Sequence, residues 1–134
     1  MIRGVHAERP DHAIVLLGVP QEYRLNREIA ARARVPFVIN AADDLPVQVL
    51  LPLLERADGM IAIDTGPTHA AAALGCPTVA LFGKSDPVLY RPGGTETRVA
   101  VVTGTVDGQP DILGITPEAV LHAWRNLATG PSRA

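Results

Sequence analysis

Short apolar runs, several of them rich in Val and Ile, recur along the chain at 13–17, 36–40, 59–63, 77–82 and 98–102, and stretches of helical spacing separate most of them. Such alternation leaves few architectures open. Strands divided by helices are joined by right-handed crossovers, so they lie mainly parallel, with helices on both faces of the sheet. An α/β fold of Rossmann-like type is therefore predicted. In such sheets ligands sit beyond the carboxyl ends of the strands, which marks 18–22, 40–45, 64–69 and 83–90 as candidate binding loops.

The connecting segments carry their own signals. Within 23–33, Leu25, Ile29 and Ala33 recur every fourth residue while Arg24, Arg27 and Glu28 lie elsewhere around the wheel, which predicts an amphipathic helix. Leu45, Val49, Leu50, Leu53 and Leu54 form the next stripe, with Asp44 placed to cap it and Pro46 in its first turn. Pro52 falls inside that stripe. An interior proline removes a hydrogen bond and costs ~3 kcal/mol, so a kink or break is expected there. Residues 67–74 predict a short alanine-rich helix, stopped by Gly75 and able to pack close to the sheet. The segment holding Gly83, Asp86, Pro87, Pro92, Gly93 and Gly94 reads as an irregular surface loop. Thr116-Pro117-Glu118 opens a final helix whose apolar side is Val120, Leu121, Trp124 and Leu127. The domain so outlined is 12–128, between a polar N-terminal segment, 1–11, and a tail, 129–134.

Composition removes several classes of function. A length of 134 residues suffices for one packed domain and is short for two of ordinary size. The net charge is -2 and no run of Lys or Arg tracks along a face, so there is no electrostatic footprint for nucleic acid. Cys76, the single cysteine, rules out an internal disulfide and a cysteine-built metal site, and reads as a buried filler. His6, His12 and His122 have no partner at metal-ligand spacing, and neither a metal nor a resident cofactor is expected. Apolar runs such as 13–17 and 79–82 fall far short of the roughly 18 residues of a membrane helix. No cleavable leader is recognisable at the front, so a cytoplasmic protein without a membrane span is expected.

Chemistry concentrates in Ile61-Ala62-Ile63-Asp64-Thr65-Gly66-Pro67-Thr68-His69, where a carboxylate ends a buried strand and a helix starts directly after it. Free amides of a first helical turn, with the positive end of the helix dipole, hold a phosphate without any lysine. Gly66 permits close backbone approach, Pro67 presets the turn, and the hydroxyls of Thr65 and Thr68 can add donors. Asp64 would repel a phosphate, so a sugar hydroxyl is its better partner. His69 is placed either to donate to the phosphate or to hold Asp64. On spacing alone, the competing reading makes Thr65 a simple cap and Asp64 a solvated strand end. Gly83-Lys84-Ser85 looks like the end of a Walker sequence, but Thr78 occupies the position of the first glycine and Asp86-Pro87 follows instead of a helix. Lys84 therefore either reaches the diphosphate or is solvated, while Asp86, Tyr90 and Arg91 shape the loop.

The continuous string from Asp64 to Pro87, "DTGPTHAAAALGCPTVALFGKSDP", is similar to the signature of glycosyltransferase family 9, whose best-known members are the ADP-heptose:lipopolysaccharide heptosyltransferases. The similarity extends to "LLERAD" at 53–58, "LLGVPQEYRLNREIAARA" at 16–33 and "ITPEAVLHAW" at 115–124. It implies a GT-B arrangement, two Rossmann-like domains across a cleft, with this chain as the C-terminal donor-binding half missing its first strand. The implied activity is transfer of heptose or a related sugar from an ADP-sugar to a lipopolysaccharide core or similar glycan. By the same resemblance Asp64 contacts the donor sugar, Thr65, Gly66, Thr68 and His69 surround the diphosphate, and Glu22 lies near the ribose. Leu45 falls where the family's loop touches the adenine, in place of the more familiar threonine or methionine, and Lys84 stands where proline is usual.

No catalytic residue is assigned, because the family's base is an aspartate of the acceptor domain; that domain and the family's diphosphate lysine have no recognisable counterpart in these residues. The implied partners are a nucleotide sugar, a separately encoded N-terminal acceptor-binding domain, and the inner membrane, touched peripherally through a glycolipid acceptor. A truncated gene product is the other explanation. The competing function is a non-catalytic nucleotide-binding or interaction module on the same fold. A dinucleotide-dependent enzyme is disfavoured, since no Gly-Xaa-Gly-Xaa-Xaa-Gly follows the first strand. A parallel sheet without its first strand exposes an edge and an apolar face, so the chain made alone should self-associate. Sedimentation checks this, and a monodisperse, stable monomer would count against it.

Overall fold

Parallel pairing carries the α/β architecture, in one sheet of two strands and another of three. The computed structural model describes residues 1–93 and 98–128, so Gly94 and the tail 129–134 lie outside the described residues. Two compact units result, Met1–Val47 and Gln48–Ala134.

The first unit opens with α1 (Ile2–Glu8), where the sequence suggested only a polar segment. Ile2, Val5, His6 and Arg9 are half-buried while Arg3 and Ala7 are exposed, a helical face too short and too mixed to stand out from the sequence. Strand β1 (Ile14–Gly18) pairs in parallel with β2 (Val38–Ala42), from Ile14 opposite Val38 to Gly18 opposite Ala42. The second strand starts two residues later than expected. Phe37 adopts a left-handed φ of 60° and Pro36 lacks an N–H, so a regular ladder begins only at Val38.

Between these strands α2 (Tyr23–Ala33) has the predicted extent but presents a different face. Asn26 and Ala33 are buried, whereas Leu25 is 55% and Ile29 38% exposed. A polar side chain sets that rotation: the Asn26 amide donates to the Leu17 carbonyl at 3.1 Å. From the sheet side, Asn40 Nδ2 donates to the Tyr23 carbonyl at 2.9 Å.

In the second unit β3 (Met60–Ile63), β4 (Thr78–Phe82) and β5 (Val99–Thr103) form a parallel sheet in the order β3-β4-β5. Residues of both faces of β4 are buried, Thr78, Ala80 and Phe82 on one and Val79 on the other, so this strand is covered on both sides. Covering helices include α4 (Gly66–Ala73), against β3 and β4, and α6 (Pro117–Ala128), against β4 and β5. Ala71 and Ala72 of α4 are buried, as expected of an alanine-rich helix lying close to a sheet. Its end is a complete Schellman motif: Gly75, at φ 73°, donates to Ala72 and Cys76 donates to the Ala71 carbonyl.

Helix α3 (Val47–Arg56) runs without interruption through Pro52, where a kink or break was expected. The bond that Pro52 forgoes would reach the carbonyl of Gln48, which is exposed near the start of the helix and open to water. After β4, residues expected to be wholly irregular contain a one-turn helix, α5 (Pro87–Tyr90), because Asp86 accepts the Val88 N–H at 2.8 Å. A hairpin of β6 (Thr105–Val106) and β7 (Gln109–Pro110) was not anticipated. Asp107 at φ 51° and Gly108 at φ 77° form its turn.

Trp124 of α6 lies over Gly59, where a built Cβ would come within 2.4 Å of the indole ring. Gly59→Ala therefore forces overpacking and should lower stability by about 1–3 kcal/mol in thermal or denaturant unfolding.

Candidate functional site

In the second unit, β3 ends at Ile63 and α4 starts at Gly66, so Asp64 and Thr65 must turn the chain between them. Thr65 is extended, at φ -145° and ψ 166°, and its carbonyl accepts the amides of Thr68 at 3.0 Å and His69 at 3.2 Å. The Thr68 hydroxyl donates to the Ile63 carbonyl at 2.6 Å. With that proton committed, the Thr65 hydroxyl, 3.1 Å away, is the donor in the pair they form.

Thr68 is fully buried. Expected among the residues around the diphosphate, it has both its hydroxyl and its amide engaged inside the turn. The supply of free amides is accordingly smaller than the sequence suggested, since Pro67 has none and Thr68 N–H is taken. Among the described residues, the N–H groups of Thr65 and Gly66 remain without an intramolecular partner. Gly66 is exposed, and a Cβ built on it meets nothing within 4 Å, so this backbone is open to close approach.

Asp64 is drawn to one side of the turn by His69, whose Nε2 lies 2.8 Å from Oδ1. The carboxylate is 19% exposed and the imidazole 44%. Of the two roles open to His69, the geometry includes the one of holding Asp64.

Asp64 also lines a groove of about 250 Å³. Ile63, Leu81 and Ile112 supply its apolar surface, and Asp64, Lys84, Ser85 and Asp111 its polar surface. Lys84 thus stands in the same groove as Asp64, and no ion pair engages its ammonium among the described residues. Asp86 and Arg91 shape the neighbouring segment, the former as a cap and the latter through a bond from its guanidinium to the Val99 carbonyl at 3.0 Å. Asp111 escaped the sequence reading. Its signal was the Asp107-Gly108 pair, a strong hairpin marker whose second strand delivers Asp111 to the groove.

Glu22 and Leu45 belong to the Met1–Val47 unit. Glu22 is exposed, and its Oε2 accepts the Val19 N–H at 3.0 Å, closing a 3-10 turn at Pro20–Glu22. Leu45 lines a wide groove of about 540 Å³ with Tyr23, Asn40 and Asp43. Glu22 is not in the lining of that groove.

The sequence model described as glycosyltransferase family 9 (heptosyltransferase) matches residues 5–111. The chain is 32% identical over 94 residues to lipopolysaccharide heptosyltransferase 3 of Escherichia coli, covering 69% of this chain and 27% of that protein. It is 28% identical over 129 residues to lipopolysaccharide heptosyltransferase 2 of Salmonella typhimurium, covering 87% and 37%. Two solved structures share the fold. ADP-heptose lps heptosyltransferase II of E. coli superposes with a TM-score of 0.75 at 24% identity, over 94% of this chain and 39% of its own. A glycosyl transferase family 9 protein from Veillonella parvula does so with a TM-score of 0.76 at 20% identity, over 97% and 40%. The chain thus spans well under half the length of these relatives.

Replacing Thr68 by the isosteric valine removes the 2.6 Å bond and leaves the Ile63 carbonyl without it. Thr68→Val should lower unfolding free energy by about 1–3 kcal/mol, measured by chemical denaturation, although no volume changes.

Proposed function

The chain belongs to glycosyltransferase family 9, and from that premise we propose that it forms donor-binding surface for a nucleotide sugar of the ADP-heptose type. The family acts on a nucleotide-sugar donor and a glycan acceptor; for this chain we assign a lipopolysaccharide core or similar glycan as acceptor. The observation that carries the reading is the Asp64–His69 pair at 2.8 Å beside the unpaired Gly66 amide, a carboxylate and anion-binding donors on one turn.

The chemistry divides along that turn. As the glycosidic bond to the diphosphate breaks, negative charge grows on the leaving oxygens, and N–H groups at a helix start stabilise it without rearranging. Thr65 and Gly66 take that role through their N–H groups. Asp64 accepts a hydroxyl of the sugar, and His69 keeps its carboxylate in place. Thr68 acts as a positioning residue, through the Ile63 carbonyl. In the Met1–Val47 unit, Glu22 and the Leu45 groove are assigned to the nucleoside. No residue of this chain is assigned as the base that deprotonates the acceptor. No described helix is long and apolar enough to cross a membrane. We place the protein in the cytoplasm, with peripheral contact to the inner membrane through a glycolipid acceptor.

Calorimetric titration of ADP and ADP-heptose separates these roles. Asp64→Ala should retain ADP affinity and lose about tenfold or more for ADP-heptose, the scale of one charge-assisted hydrogen bond. Gly66→Val, whose side chain enters open space, should keep the fold and weaken both ligands. Equal binding of both ligands by all three proteins would remove the assignment.

A further inference from the structure

One carboxylate in the groove beside Asp64 has no part in the function proposed above. We propose that Asp111 is a second sugar-contacting residue and a determinant of donor specificity, its free carboxylate oxygen accepting a hydroxyl of the donor carbohydrate. This rests on the reading of the groove as part of a nucleotide-sugar site.

Asp111 is held by the chain on both sides. Its N–H donates to the Gly104 carbonyl at 3.0 Å, closing the β6–β7 hairpin. Its Oδ1 accepts the Leu113 N–H at 2.9 Å, capping the 3-10 turn Ile112–Gly114. Those bonds fix the side chain and commit one oxygen. Oδ2 has no partner among the described residues, although the residue is half-buried and lines a groove with Ile63, Leu81 and Ile112 as apolar surface. Asp64 repeats the arrangement, with Oδ1 taken by His69 and Oδ2 uncommitted. Two restrained carboxylates, on residues that line the same groove, therefore each keep one acceptor oxygen uncommitted.

Charge decides what that space takes. Two carboxylates outnumber the single ammonium of Lys84, so an anionic group is repelled and a neutral group rich in hydroxyl donors is favoured. Carboxylates accept only, and hydroxyls supply what they lack. Apolar Ile63, Leu81 and Ile112 suit the C–H faces of a sugar ring. A volume of about 250 Å³ is below the range typical of drug-sized ligands and matches one monosaccharide unit better than a whole nucleotide sugar. Phosphate is thereby directed to the Thr65 and Gly66 amides, outside the lining of the groove.

The test uses variants that keep the cap. Asp111→Asn retains Oδ1 and replaces the free oxygen by a donor; Asp111→Ser retains a capping hydroxyl and removes the second oxygen. Both are titrated with ADP and with ADP-heptose beside the parent chain and Asp64→Ala, with thermal unfolding as a check on the fold. Unchanged ADP affinity with an approximately tenfold loss for ADP-heptose in both Asp111 variants is the expected result. Parent-like ADP-heptose binding by both, while Asp64→Ala loses it, overturns the role of Asp111 and leaves the donor-site reading intact. Equal loss of ADP and ADP-heptose affinity also overturns it, since that marks a purely structural residue. A parent chain that binds ADP-heptose no better than ADP overturns the donor-site reading and this inference together.

Discussion

The hydrogen bond from the hydroxyl of the fully buried Thr68 to the Ile63 carbonyl, 2.6 Å long, is the contact on which the candidate site depends. A strand that ends beneath a helix leaves its last carbonyl in search of a donor, and an unmet carbonyl there costs as much as a lost bond. Thr68 meets that need from one turn into α4, and the Thr65 hydroxyl joins it. The strand-to-helix angle is then set by buried groups rather than by the exposed ones that face a ligand. Asp64, Thr65 and Gly66 inherit their positions from it.

That inheritance separates two kinds of chemistry over a few residues. On one side lie amides that Pro67 and Thr68 do not use, with the positive end of a helix behind them. On the other lie carboxylates restrained by their neighbours, Asp64 by His69 and Asp111 by its own turn. A nucleotide sugar has the same division, an anionic bridge joined to a neutral polyol, and this correspondence supports the proposed assignment. Lys84 adds one positive charge to the groove that both acids line.

Misjudged elements share a cause: each depends on one side chain or backbone angle that periodicity does not encode. Helix α2 was placed correctly but turned, because Asn26 bonds a strand carbonyl and so carries a polar residue inward past Leu25 and Ile29. Strand β2 was displaced by the left-handed Phe37, a conformation rarely adopted by a large residue. Pro52 did not break α3, since the carbonyl it leaves unbonded is within reach of water. Asp107-Gly108 was a legible hairpin marker, yet the segment after β5 lacked the alternating apolar residues that normally accompany one.

From residue order alone came the α/β class, the parallel pairing, the strand-to-helix step at Asp64 to His69 and the family resemblance. These are local or nearly local properties: side-chain period sets the element type, and crossover handedness does the rest. Tertiary structure alone decided that Thr68 points inward, that His69 meets Asp64, and that Lys84 and Asp111 border the same groove. Those facts join residues far apart in the chain, from 64 to 111. Burial and hydrogen-bond satisfaction fix such pairings only once the sheet has been assembled, and no spacing along the chain contains them.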